Sequence, residues 1–206
     1  MKTIIELSED EKDCLQELMN ISYGAATAAI SEIIGKFATL SIPKINTISS
    51  SQLKEYLNTK LISKYKYYIA NQLVNGYLCG ENIFIIDEES SVNLAKEFDL
   101  EEDEIDENEI KDIILEITNI LSSATSGKLA SLIDTSISFS APHITKINSA
   151  DEIDKRFEGE YNHVIIISTE LHFKEQNIKG ELMILTKAES SQFLQEALCT
   201  ALENLS

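Results

Sequence analysis

Apolar and small residues recur at helical spacing through residues 9–36, at Leu15, Leu18, Ser22, Ala25, Ala29 and Ile33, with Met19, Ala26 and Ile30 beside them. Positions three and four apart share a helix face, so the pattern predicts one long amphipathic helix. Ser8, three residues before Glu11, suits a capping box at its start, and Gly35 suits its end. Strand-like stretches follow around 38–49, 63–70 and 75–87, then a helix at 88–98. The remainder reads as a helix at 107–133, strands near 135–148, 163–171 and 177–187, and a last helix at 188–204. Asn75-Gly76 and Asn177 fall near the ends of the later strands, where hairpin turns are expected.

The same order of elements thus occurs twice, and particular residues recur with it. Asp13, Glu17 and Asn20 return as Asp112, Glu116 and Asn119 at identical spacing. Pro43 follows Asn20 by twenty-three positions, and Pro142 follows Asn119 by the same interval; these are the only two prolines. Further on, Gly80-Glu81 is matched by Gly180-Glu181, and Glu89-Ser90-Ser91 with Leu94 by Glu189-Ser190-Ser191 with Leu194. The offset changes from 99 to 100, which is one insertion in a loop. The reading is one α+β domain over residues 1–206, internally duplicated with pseudo-twofold symmetry. Its repeats cover about 9–99 and 107–205 and are joined by the acidic segment DLEEDEIDENE. Two long amphipathic helices are expected to pack on a shared, largely antiparallel sheet.

Composition narrows the partners. The 206 residues carry 35 acidic and 17 basic side chains, a formal charge of −18. Such a field repels phosphate backbones and anionic lipid, so neither nucleic acid nor membrane is an expected partner. The first residues, MKTIIELSEDEKD, lack the apolar run of a secretory signal, and no stretch approaches a membrane span. Cys14, Cys79 and Cys199 are scattered, without CxxC spacing, as expected of reduced thiols in a cytoplasmic protein. Phosphate-binding loops and nucleophile-elbow patterns are absent. His143, His163 and His172 show no metal-ligand spacing.

The chemistry lies in the repeated polar face. Asp13, Glu17, Asn20, Gly24, Thr27 and Ser31 form one stripe, and Asp112, Glu116, Asn119, Ser123, Ser126 and Ala130 form the other. Each has a carboxylate and a carboxamide at its head and small residues at its tail, a profile expected to admit close approach by another protein. Glu and Asn alone are a poor self-contained enzyme, since Asn cannot usefully carry a proton near neutral pH. A carboxamide can, however, hold a water in line with phosphorus, and a carboxylate can fix docking against a partner's cation. The electrophile and any metal would then come from the partner.

The doubled spacing of Asp, Glu, Asn and distant Pro resembles the CheC-type phosphatases of bacterial chemotaxis. That family's signature is Asp or Ser, three residues, Glu, two residues, Asn, twenty-two residues, Pro. Both copies fit it without a gap. Two intact copies are more similar to CheC than to its single-motif, dimeric CheX relatives, and the chain has no room for the extra switch domain of FliY. The resemblance implies hydrolysis of the aspartyl phosphate of a CheY-type response regulator. It implies that Asn20 and Asn119 orient the attacking water and that Glu17 and Glu116 pair with the regulator's active-site lysine. Asp13 and Asp112 would support, and the magnesium ion would belong to the regulator, leaving this chain with no cofactor of its own. CheD is the second partner implied, and a monomer is expected. The competing expectations are a non-catalytic adaptor for phosphorylated regulator or CheD, and a flagellar-switch component.

The copies differ below the motif, with ISYGAATAA after Asn20 and ILSSATSGK after Asn119. Lys128 lies one position off the second stripe. Tyr65, Tyr67 and Tyr68 among Lys60, Lys64 and Lys66 form the one basic, aromatic patch, read as strand packing or as a minor docking surface.

Overall fold

A computed structural model describes residues 7–61, 65–98, 100, 105–148, 152 and 163–203. Lys64 and residues 101–104 of the acidic segment lie outside the described residues. The first half comprises α1 (Glu9–Ile34), β1 (Thr39–Leu40), β2 (Lys44–Ser49), α2 (Ser50–Lys60), β3 (Tyr67–Gly76), β4 (Gly80–Asp87) and α3 (Glu88–Ala95). The second comprises α4 (Glu107–Leu132), β5 (Ile137–Phe139), β6 (His143–Ile147), β7 (His163–Phe173), β8 (Ile178–Thr186) and α5 (Ala188–Glu203).

All eight strands join one antiparallel sheet. Its centre is the β4–β8 pair, where Ile83 faces Met183. β3 flanks β4, and β7 flanks β8. The outer strands cross over between the halves: β1 and β2 pair with β7, whereas β5 and β6 pair with β3. Exchanging the two halves leaves this strand order unchanged.

Strand alternation sends side chains to two cores. Tyr68, Ala70, Phe84, Ile86, Ile165, Ile167, Leu182 and Ile184 face the long helices. Tyr67, Ile69, Ile83, Ile85, Ile166, Met183 and Leu185 face the opposite side. Burial on both faces is why runs such as IFII and LMIL are continuously apolar rather than alternating. α2 covers the second face with Leu53 and Leu57, one helical turn apart, and Leu61 just beyond its end adds to them. The sequence-based expectation placed no element over these residues. Its apolar row is short and sits in an otherwise polar stretch, SSQLKEYLNTK.

The helix ends follow the expected chemistry. Ser8 and Glu11 form a reciprocal capping box, and Gly35 closes α1 at φ 68°, the left-handed conformation that favours glycine. The apolar side of α1 is rotated from the expected stripe. Cys14, Leu15, Met19, Ser22, Tyr23, Ala26, Ile30 and Ile34 are buried, whereas Ala25 and Ile33 are exposed. α1 packs along α4 and against α5, so its covered arc is wider than one sheet contact demands. α4 uses small polar residues on its covered side. Thr118 and Thr125 hydroxyls donate to carbonyls one turn back, at 2.6 Å each. Ser126 is buried and exchanges hydrogen bonds with the fully buried Asn82 of β4, at 2.9 and 3.2 Å.

Glu11 does more than cap. Its carboxylate accepts from the Ser8 N–H at 2.7 Å, the Gln195 amide at 3.2 Å and the Cys199 thiol at 3.3 Å, tying α5 to the start of α1. Burial pushes this carboxyl up, but the hydrogen bonds from Ser8, Gln195 and Cys199 outweigh it and hold it below the ordinary glutamate value. A depressed folded value contributes stability above the ordinary value of 4.5, lost as pH falls through the lowered one. Glu11→Gln is therefore expected to destabilise the protein by about 1 kcal/mol near neutral pH. In urea unfolding the difference from wild type should shrink on the acid side of pH 4.5. Ser126→Ala should cost about 1–3 kcal/mol in the same measurement, because it leaves the Asn82 amide buried without its partner.

Candidate functional site

α1 and α4 lie side by side on one face of the sheet, and each presents one copy of the motif to solvent. Asp13, Glu17 and Asn20 are exposed on α1, as are Asp112, Glu116 and Asn119 on α4. Their neighbours at Cys14, Leu15 and Met19, and at Ile113, Ile114, Ile117 and Thr118, are buried and fix the rotation of each helix. The head of each stripe is thus an open carboxylate–carboxamide pair, as the spacing predicts. None of the four carboxylates takes part in an ion pair among the described residues.

The tails differ from expectation. Gly24 is exposed, and Thr27 and Ser31 are half-buried; the Thr27 hydroxyl donates to the Tyr23 carbonyl and Ser31 Oγ accepts from the Ala38 N–H. In the second copy Ser126 and Ala130 are buried rather than surface residues. Only Ser123 continues that stripe outward. The flat docking surface expected below Asn119 therefore ends within about a turn, because the sheet covers Ser126, which pairs with Asn82 of β4.

The two prolines have a definite place. Pro43 immediately precedes β2, and Pro142 immediately precedes β6. From Asn119 the helix runs about 20 Å to Leu132, and the return to Ser140 can span about 26 Å when extended. The Asn-to-Pro interval is thus long enough to bring the proline back level with the asparagine. On β3 the ladder with β5 stops at Val74↔Phe139 and the ladder with β6 begins at Asn71↔His143. Ser140, Ala141 and Pro142 fill the interruption, which suits a residue without a backbone donor. Ser41, Ile42 and Pro43 fill the matching gap between Leu40↔Leu171 and Lys44↔Ser168.

In both gaps a strand of the other half takes up the loop. The Ser140 N–H donates to the Leu73 carbonyl and the Ser41 N–H to the Glu170 carbonyl, each at 3.0 Å. The Gln72 amide donates to the Ser140 carbonyl at 2.7 Å, and the Thr169 hydroxyl donates to the Ser41 carbonyl at 2.6 Å. Here the sites diverge. Gln72 Nε2 also reaches Asn119 Oδ1 at 2.8 Å, whereas Asn20 has no side-chain hydrogen bond among the described residues. Gln72 is 1% exposed, and its Oε1 is buried without a hydrogen-bond partner among the described residues, which costs about 1–3 kcal/mol.

Sequence reasoning missed Gln72 and Thr169. Ser41 and Ser140, two residues before each proline, were a visible signal for the loops. Nothing links either strand residue to a helix of the opposite half, and the two differ in type.

The remaining candidates do not join these sites into one. Tyr67 and Tyr68 project to opposite faces of the sheet and are buried, leaving Tyr65 exposed, so the basic patch divides. Lys60 pairs with Glu181 at 2.6 Å beside α2. His143 is exposed on β6, and His172 lies 3.1 Å from Glu170. Lys128 is exposed on α4. None of the three cysteines forms a disulfide; Cys14 is buried and Cys199 is exposed. Among the described residues no three His, Cys, Asp or Glu side chains gather as they would around a metal ion, and no helix is long and apolar enough to cross a membrane.

No protein-family model and no curated protein sequence matches the chain. Solved structures do. Thermotoga maritima FliY aligns over 95% of this chain and 99% of its own, with a TM-score of 0.73 and 18% identity. The FliM middle domain from H. pylori aligns over 93% and 99%, with a TM-score of 0.59 and 13% identity. The chemotaxis protein CheX from Desulfovibrio desulfuricans aligns over 82% and 99%, with a TM-score of 0.53 and 13% identity. The chain thus shares its fold with FliY, the FliM middle domain and CheX.

Proposed function

We propose that the chain is a chemotaxis protein that removes the phosphoryl group from the active-site aspartate of a CheY-type response regulator. One observation carries the reading. Two copies of the same Asp–Glu–Asn trio stand open to solvent on adjacent helices, each followed at the same interval by a Ser-X-Pro loop held by a strand of the other half. The likeness in fold to CheX and FliY supports it.

In this mechanism the motif helix of either site docks against the regulator. Glu17 or Glu116 pairs with the regulator's lysine and sets the register. Asn20 or Asn119 holds a water in line with phosphorus, its carboxamide orienting the water without taking its proton. Attack forms the new P–O bond as the acyl P–O bond breaks. Inorganic phosphate leaves, and the regulator's aspartate returns as a carboxylate. Magnesium would be held by the regulator. Gly24 fits a docking face, since a Cβ there would meet nothing within 4 Å, so the chain's own packing does not require glycine in mid-helix.

The adaptor reading, with phosphorylated regulator or CheD as the bound partner, keeps the docking and drops the hydrolysis. The FliM likeness gives it weight, since an H. pylori FliM structure is a complex with FliG. Loss of phosphoryl label from the regulator at substoichiometric protein separates the two. Asn20→Ala with Asn119→Ala should slow that loss by about 100-fold. Asn20→Ala alone should leave stability within about 0.5 kcal/mol, whereas Asn119→Ala leaves a buried Gln72 N–H without its acceptor and should cost about 1 kcal/mol or more. Glu17→Ala with Glu116→Ala should weaken regulator binding by about tenfold in a titration. Unchanged decay with wild-type protein, alongside measurable binding, would decide for the adaptor.

A further inference from the structure

The two sites share a framework and differ in one contact. In each, a strand residue of the opposite half donates to the carbonyl of the serine before the proline. Threonine is enough for that task, as Thr169 shows at Ser41. Gln72 is longer, and its second N–H reaches Asn119 Oδ1. We infer that Gln72 is a positioning residue for Asn119, so that the α4 site is held ready while the α1 site must order its asparagine on docking. The catalytic meaning of this hold rests on the phosphatase reading above.

The geometry makes the hold specific. Gln72 is buried, and its Nε2 is fixed from two directions, by the Ser140 carbonyl and by Asn119. An amide anchored in this way has little rotamer freedom left to lose. Asn119 is exposed at the surface, where a free asparagine samples several rotamers. With one Oδ1 lone pair engaged, its other lone pair and both N–H donors remain for a water or a partner acceptor. A group already in its working orientation does not have to be ordered at the moment of reaction, so the effect belongs on kcat rather than on encounter.

Gln72→Thr is the informative variant, because it copies the Thr169 arrangement: the Ser140 carbonyl keeps a donor and Asn119 loses its own. Placed in an Asn20→Ala background, where only the α4 site works, it should lower kcat for regulator dephosphorylation by about tenfold with KM unchanged. Placed in an Asn119→Ala background, it should change nothing. A second readout needs no variant at Gln72. In nitrogen-15 relaxation spectra of the wild-type protein, assigned from the two Asn→Ala proteins, the Asn119 side-chain amide should be as ordered as the backbone and the Asn20 amide mobile. An equal loss of kcat in both backgrounds, or an Asn119 amide as mobile as that of Asn20, overturns the inference. A wild-type protein that leaves the phosphoryl label in place overturns the phosphatase reading instead, and the order of the Asn119 amide still decides whether the hold exists.

Discussion

The pairing of β4 with β8 at the centre of the sheet, together with the crossing of the outer strands, is the constraint from which the rest follows. Neither half can close its own sheet. β7 is completed by β1 and β2, and β3 by β5 and β6. Each long helix is joined by a short connection to an outer strand that belongs, by hydrogen bonding, to the other half. The helices therefore lie together on one face, and their uncovered sides must both look outward. A twofold arrangement of open motifs is a consequence of strand exchange, with no separate device needed to produce it.

The same crossing makes each site composite. The helix and the proline loop come from one half, and the residue that satisfies the loop comes from the other. Proline matters here through what it lacks. A gap in the ladder frees the carbonyl of Ser41, an exposed residue, and that of Ser140, a half-buried one, for a side-chain donor. In each gap a neighbouring strand side chain supplies that donor, Thr169 to Ser41 and Gln72 to Ser140. With a donor at that point, its length decides whether it also reaches the carboxamide. Thr169 stops at the loop, and Gln72 goes on to Asn119. Asymmetry between the sites thus needs only one residue type to differ within an otherwise common scaffold.

How much of this was legible in the chain depended on range. The long helices, the caps of α1 and the β7–β8 hairpin were readable because their signals are local: the Ser8–Glu11 box, Gly35, and Asn177 at φ 53° in the turn. The first hairpin was misplaced, since the expected break at 71–74 lies within β3 and the turn at 77–79 lies within the expected strand 75–87. The motif trios were readable because both spacings repeat along a single helix. α2 was not, since Leu53, Tyr56 and Leu57 are too short a row to stand out before the face they cover is known. The tail of the second stripe misled for a related reason. Helical periodicity assigns residues to a common face without saying how wide an arc the fold covers, and serine reads as surface until a buried partner such as Asn82 is seen. Gln72 was beyond reach entirely. Its role arises from a strand, a loop and a helix that meet only after the halves have crossed.

Gln72 also breaks a rule that the surrounding core keeps. A methionine or leucine at that position would bury as much surface and leave no Oε1 stranded. Gln72 Oε1 has no hydrogen-bond partner among the described residues, and the loop alone does not explain a glutamine there, because a threonine serves the equivalent loop. What glutamine adds over threonine is reach toward Asn119. Departures from good packing concentrate where a side chain has a second task, and the sound direction of inference runs from the observed departure to the task. By that reasoning the buried amide behind α4 says more about the second motif than the motif's own exposed residues do. Asp112, Glu116 and Asn119 could belong to any solvated helix face, whereas a buried donor aimed at one of them has no use on a face that is merely solvated.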